Sequence, residues 1–321
     1  MRWLITAVPV IVAVAVWAQP GAAEPVASFD PVKGEFPEGV TFDLRGNLYV
    51  SLAPLGEIRR REGAEWPVYA RIDPGTTGLG VLGLAADGCG TIYAAAPTDA
   101  ADWHGVVAVS TDGAARRLPG SEQIVFPNGL ALDHRGNLYV TDSIGGAIWR
   151  VPRGGTAELW IEDETLTGTG VLGNGFPLGA NGIAYFRGRL YVANTERKQV
   201  VEIPIQDSGA AGTPSIVHTF VGEADFLDGI AVDIVGNLYV LATGANELVR
   251  IPRRGPAVTV AGGEDGLNIP ASLAFGWGQS SRTLVVTNFS LPDLTPDPTP
   301  GLVAFDVPLP GPAPARPGPC P

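Results

Sequence analysis

Pro127–Val140 reads PNGLALDHRGNLYV. Leu130 and Leu132 alternate with Ala131 and Asp133, the run Asp133-His134-Arg135-Gly136-Asn137 supplies turn residues, and Leu138-Tyr139-Val140 resumes an apolar strand. That pattern is a β-hairpin. A third strand follows at Ala147–Pro152, and after Arg153-Gly154-Gly155 a fourth runs from Ala157 to Ile161. One such unit is a four-stranded antiparallel sheet.

Five further copies flank it: PEGVTFDLRGNLYV from Pro37, LGLAADGCGTIYA from Leu82, ANGIAYFRGRLYV from Ala180, LDGIAVDIVGNLYV from Leu227 and PASLAFGWGQSSRTLVV from Pro270. One aligned position, just before the apolar run, is occupied in turn by Glu38, Leu82, Asn128, Asn181, Asp228 and Ala271, at spacings of 44, 46, 53, 47 and 43 residues. A period of roughly 40–45 residues is that of a propeller blade. The sequence therefore predicts an all-β fold, a six-bladed β-propeller with four-stranded blades. The last copy has a third strand at Gly301–Phe305 but only Pro-rich sequence after it, so Val26–Phe29 is expected to supply its fourth strand. Closure by an N-terminal strand in the last blade removes open sheet edges.

Three segments follow. Residues 1–23 read as a signal peptide: Met1-Arg2, an apolar run from Trp3 to Ala18, then the small-residue stretch ending at Ala23. That run is shorter than the roughly 20 residues of a membrane span, so cleavage, no stable membrane insertion and a secreted or periplasmic protein are expected. Residues 24–307 form the propeller, and 308–321 form a Pro-rich disordered tail. Removing Arg2 with the leader leaves 20 basic against 33 acidic residues, a net charge near −13. Such a surface repels phosphate backbones and argues against a nucleic-acid partner. Cys89 and Cys320, the two cysteines, sit in no zinc spacing and in no pattern that calls for a disulfide. A monomer is expected.

Four of the six aligned positions carry side-chain oxygen, and all six stand where an inner strand begins, around one mouth of the central channel. Two carboxylates and two amides form a hard oxygen set, suited to Ca²⁺, Mg²⁺ or Mn²⁺ rather than to metals that seek imidazole or thiolate. Asn-Gly and Asp-Gly also begin ordinary turns. Against that reading stands Glu38, a poor turn former in the same register.

These residues resemble the gluconolactonase and regucalcin (senescence marker protein) family of six-bladed propellers. The likeness covers about residues 25–307, and the ordered set Glu, Asn, Asn, Asp is its most specific part. The resemblance implies a divalent cation, most often calcium with Mg²⁺, Mn²⁺ or Zn²⁺ as alternatives, held by Glu38, Asn181 and Asp228. Asn128 would be a fourth ligand or a substrate contact. It also implies hydrolysis of a small-molecule lactone or ester, with Asp228 as the catalytic base. Where the family commonly has a substrate-binding Arg this chain has Phe126, which points to a less polar ligand. A non-catalytic, NHL-like propeller with a structural ion, binding a protein, glycan or small molecule, is the alternative.

His104, Asp142 and Asn194 lie in loops of the same face and are further substrate-binding candidates. Asp43, Asp87, Asp133 and Asp233 recur before hairpin glycines, where turn hydrogen bonding is their expected role. No G-x-S-x-G elbow is present, so serine-hydrolase chemistry has no support. The long stretch before Asn181, including Leu172–Gly179, is a candidate lid.

Overall fold

The computed structural model describes residues 23–76, 79–173, 175–222 and 226–313. Apart from Ala23, the expected leader lies outside them. Six four-stranded antiparallel sheets form the ring. Their inner strands, Pro37–Phe42, Leu84–Ala86, Pro127–Leu132, Ala180–Phe186, Leu227–Val232 and Pro270–Phe275, define blades 1 to 6 and touch their neighbours around the axis. Among the described residues, helix is limited to three-residue 3-10 turns, and no helix is long and apolar enough to cross a membrane.

Blade 6 joins the two ends of the propeller. Its strands from outside inward are Glu24–Ser28, Gly301–Asp306, Thr283–Asn288 and Pro270–Phe275. Glu24 pairs with Ala304 and Ser28 with Gly301, so the N-terminal strand fills the edge that the sequence left vacant.

The hairpin turns form as their composition requires. Asp133 Oδ1 accepts from the backbone N–H of Arg135 and Asn137, at 2.8 and 2.9 Å, and Oδ2 accepts from Asn137 Nδ2. Gly136 in this turn has φ of 83°, a conformation costly for any residue with a Cβ. Asp43 and Asp233 repeat the same three bonds, and Asp87 accepts from Cys89 and Thr91 N–H. These carboxylates are turn residues.

Packing between blades holds the ring. Each of six hydrophobic clusters lies between two adjacent blades: Ile58 and Ile92 join blades 1 and 2, and Val50 and Val285 join blades 1 and 6. Burying one such side chain contributes about 1.5–3 kcal/mol, so no blade is stable without its neighbours.

Two expectations change. Val307 N–H donates to Arg282 O, Ile234 N–H to Pro310 O, and Gly311 N–H to Ser281 O. The segment expected to be disordered from 308 is thus docked on blades 5 and 6 through residue 313, and 314–321 lie outside the described residues. Cys89 is disulfide-bonded, which its turn sequence gave no reason to expect.

Candidate functional site

In five of the six inner strands, pairing with the second strand slips at one place: between Pro37 and Val40, Pro127 and Leu130, Ala180 and Ile183, Leu227 and Ile230, and Pro270 and Leu273. The slip takes the variable residue and the small residue after it out of the ladder. Bulges of this kind re-aim side chains, and here they re-aim Glu38, Asn128, Asn181 and Asp228. In blade 2 the strand starts only at Leu84, past Leu82.

The next blade dictates the small residue. A Cβ on Gly39 would stand 2.4 Å from Leu82 O, one on Gly129 2.4 Å from Asn181 O, and one on Gly182 2.4 Å from Asp228 O. The carbonyls of Leu82, Asn181 and Asp228 therefore lie against the glycine of the preceding blade. Hydroxyls of the second strands fix these carbonyls: Ser51 Oγ donates to Leu82 O, Thr141 Oγ1 to Asn181 O and Thr287 Oγ1 to Glu38 O, each at 2.7 Å. The last of these bonds links blade 6 to blade 1, so ring closure and site geometry share one contact.

Glu38, Asn128 and Asn181 are buried, at 6, 6 and 8% exposure, and Asp228 is partly buried. Asn128 Nδ2 donates to Ser143 Oγ and Asn181 Nδ2 to Thr195 Oγ1, both at 3.1 Å. Each amide oxygen is left as an acceptor. Burial pushes the Glu38 carboxyl up from 4.5 to about 8, and its Oε2 is buried with no hydrogen-bond partner among the described residues. Asp228 is raised well above the usual carboxylate range, first by burial and then by the charge of Glu38, while a hydrogen bond from Asn181 opposes the rise. Glu38 and Asp228, 190 residues apart in sequence, thus lie within each other's field, and Asn181 bonds to Asp228.

Two desolvated carboxylates and an orphaned oxygen make an arrangement that a positive charge would relieve. No group of three or more His, Cys, Asp or Glu side chains gathers among the described residues. The donor set is therefore carboxylate and amide oxygen, and it fits a hard divalent cation such as calcium.

Other sequence candidates occupy different places. Asp142 accepts from the N–H groups of Val125, Phe126 and Gly145 at 2.8–2.9 Å. Asn194 Nδ2 donates to Thr165 O and Thr167 O, and its Oδ1 accepts from Arg197 N–H. His104 has Nδ1 2.9 Å from Thr98 O and Nε2 2.7 Å from Ile124 O. These three polar side chains are spent on fastening loops. Phe126, held by Asp142, faces Phe176 with ring centroids 6.2 Å apart. Val125, Val171 and Leu172 are exposed nearby in sequence, giving this face an apolar lip.

Several residues outside the set of candidate ligands and substrate contacts support the site structurally. Ser143, Thr195 and Thr243 follow the second strands of blades 3, 4 and 5 in one register, and Thr243 Oγ1 donates to Pro270 O at 2.7 Å. Their shared place in the repeat was the available signal. Buried Glu196 accepts from the N–H groups of Thr169, Gly170 and Leu172, so the first half of the candidate lid is anchored to blade 4.

A family model described as the SMP-30/Gluconolactonase/LRE-like region matches residues 178–290, which include Asn181 and Asp228. Over that stretch, about a third of its length, the chain is similar to this family. Similar solved structures include a luciferin-regenerating enzyme (TM-score 0.67, 17% identity, covering 92% of this chain and 99% of that one). A calcium-binding protein, regucalcin, from Agrobacterium tumefaciens gives 0.66 at 16% identity, covering 94 and 97%. A gluconolactonase from Xanthomonas campestris gives 0.63 at 16% identity, covering 92 and 99%. Identities this low establish a common fold for this chain and these proteins. Comparison with curated proteins gives no match.

Proposed function

We propose that the protein hydrolyses lactones or related esters with apolar substituents, at a divalent cation held by Glu38, Asn128, Asn181 and Asp228. One observation carries this reading: the buried, mutually repelling Glu38 and Asp228 pair, with an orphaned Glu38 oxygen and Asn181 bonded to Asp228. The family match, and the calcium-binding and gluconolactonase activities of similarly folded proteins, support it. Calcium is favoured because it accepts a shell that four side chains leave open.

When bound, such a cation polarises a carbonyl and acidifies water. The protein's part is positional. Bulges aim the four side chains, hydroxyls at 51, 141 and 287 fix the neighbouring carbonyls, and the Ser143 and Thr195 bonds engage the amide nitrogens and leave the amide oxygens as acceptors. Asp228, steadied by Asn181, takes the proton from the attacking water and returns it to the leaving oxygen. Phe126 and Phe176 receive the apolar part of the substrate. With its leader, the chain would act outside the cytoplasm as a monomer.

The test is turnover of aryl esters and alkyl-substituted lactones with Ca²⁺, Mn²⁺ or Zn²⁺, in wild type and Asp228→Asn. The variant should lose activity by on the order of 10²–10⁴-fold without a lower melting temperature. Normal hydrolysis by Asp228→Asn removes the base assignment. Calcium stabilisation without turnover of any substrate leaves a binding propeller with a structural ion.

A further inference from the structure

The opposite mouth of the channel is an apolar basin. A cavity of about 890 Å³ is walled by the last three residues of all six inner strands, among them Val40, Leu130, Ile230 and Leu273, and Pro312 and Ala313 of the docked chain end also line it. That volume falls within the roughly 300–1,000 Å³ of small-molecule sites.

Charged side chains reach this basin from blades 3 and 4 alone, among the described residues. Where blades 1, 2, 3 and 5 close the inner hairpin with five residues, blade 4 uses two: Phe186 pairs with Arg189, and Arg187-Gly188 make the turn, at φ of 47° and 79°. Two successive positive φ values define the turn that Asn-Gly fills at least cost. An arginine at the first of these positions is strained, and such strain concentrates at functional sites. The Arg187 guanidinium lies over the Phe186 ring of the cavity wall, 5.0 Å from its centroid. No ion pair engages it among the described residues. Stacking occupies its flat face and leaves the N–H fork free for a carboxylate.

A second donor stands on the neighbouring blade. Tyr185 Oη accepts from Gly188 N–H at 3.1 Å and donates to His134 Nδ1 at 2.6 Å, so Nε2 of His134 carries the ring proton. Arg187 and His134 are both exposed and both line the cavity, and no Asp or Glu lines it among the described residues. In a chain of 33 acidic and 21 basic residues, that is a local reversal of sign.

We propose that this basin binds a long-chain carboxylate, a fatty-acid anion, with its head on Arg187 and His134 and its tail among the ends of the inner strands. A single negative charge suits the site better than a phosphate group, because the field of an acidic protein opposes each further charge. Binding here needs neither a cation nor turnover at the other mouth, so it stands apart from the hydrolase reading.

Titration calorimetry of the full-length protein in chelator, with decanoate, dodecanoate and dodecanol below their aggregation limits, tests the assignment. Chelator keeps a cation at the other mouth from capturing the carboxylate. Dodecanoate should bind roughly tenfold more tightly than decanoate, as two further buried methylenes require. Arg187→Asn, which tolerates the left-handed turn, should weaken dodecanoate binding by about 10–100-fold, with dodecanol affinity unchanged and the melting temperature no lower. No binding of dodecanoate, equal affinity for the two carboxylates, or undiminished dodecanoate binding by Arg187→Asn would overturn the proposal.

Discussion

Replacing Glu38 by Gln should make the cation-free protein more stable at alkaline pH and abolish its response to calcium. The Glu38 carboxyl is raised from 4.5 to about 8 by burial. A group raised by folding contributes stability that is complete below its unfolded value and lost as pH climbs through its folded one. For cation-free protein the window is therefore about pH 4.5–8. At about 1.36 kcal/mol per unit the full swing is about 5 kcal/mol, and water entering the funnel reduces it to something on the order of 2–5 kcal/mol. Of that swing about 1–3 kcal/mol falls between pH 5.5 and pH 8, so with about 2–4 °C per kcal/mol for a large domain the chelator-treated wild type should melt about 2–12 °C lower at pH 8 than at pH 5.5. Calcium should restore the difference by binding the folded state alone. Glu38→Gln retains the shape, removes one titrating charge and relieves Asp228, so most of the pH slope and the calcium shift should vanish together. Scanning fluorimetry across pH, with and without chelator, reads both quantities. A flat wild-type profile, or an undiminished calcium shift in Glu38→Gln, would refute the electrostatic account of the site.

Gly129→Ala places a Cβ 2.4 Å from Asn181 O and should destabilise the fold by about 1–3 kcal/mol, measured by urea denaturation. Thr141→Val keeps the volume but leaves Asn181 O and Gly129 N–H without their buried hydroxyl partner, at a cost of about 2 kcal/mol; calorimetry should also detect weaker calcium binding. Phe126→Arg should shift the ratio of kcat/KM toward polyhydroxylated lactones and away from alkyl-substituted ones by about tenfold or more, with an unchanged ratio removing Phe126 from the substrate contact.

Much of the architecture was legible because a propeller repeats its chemistry at a fixed register. The period gave six blades, the missing fourth strand of blade 6 gave the closure, and the aspartates before the hairpin glycines declared their turn role. Alignment of the copies also placed Glu38, Asn128, Asn181 and Asp228 at one mouth. Register alone does not say where a loop side chain spends its hydrogen bonds. Asp142, Asn194 and His104 stand on the predicted face, yet each has a partner in another loop, 17, 29 and 20 residues away. That competition is settled by loop paths, which carry no periodic signal.

The sequence by itself determined the blade count and the closing strand, and put four oxygen-bearing side chains in one register of the repeat, because strand alternation and turn chemistry are local and repeat. Tertiary structure decided that Glu38 and Asp228 share one field, that the bulges and glycines let neighbouring blades meet, and that the chain end turns toward the apolar mouth. Those outcomes depend on distances between residues far apart in the chain, and such distances exist only once the ring has closed.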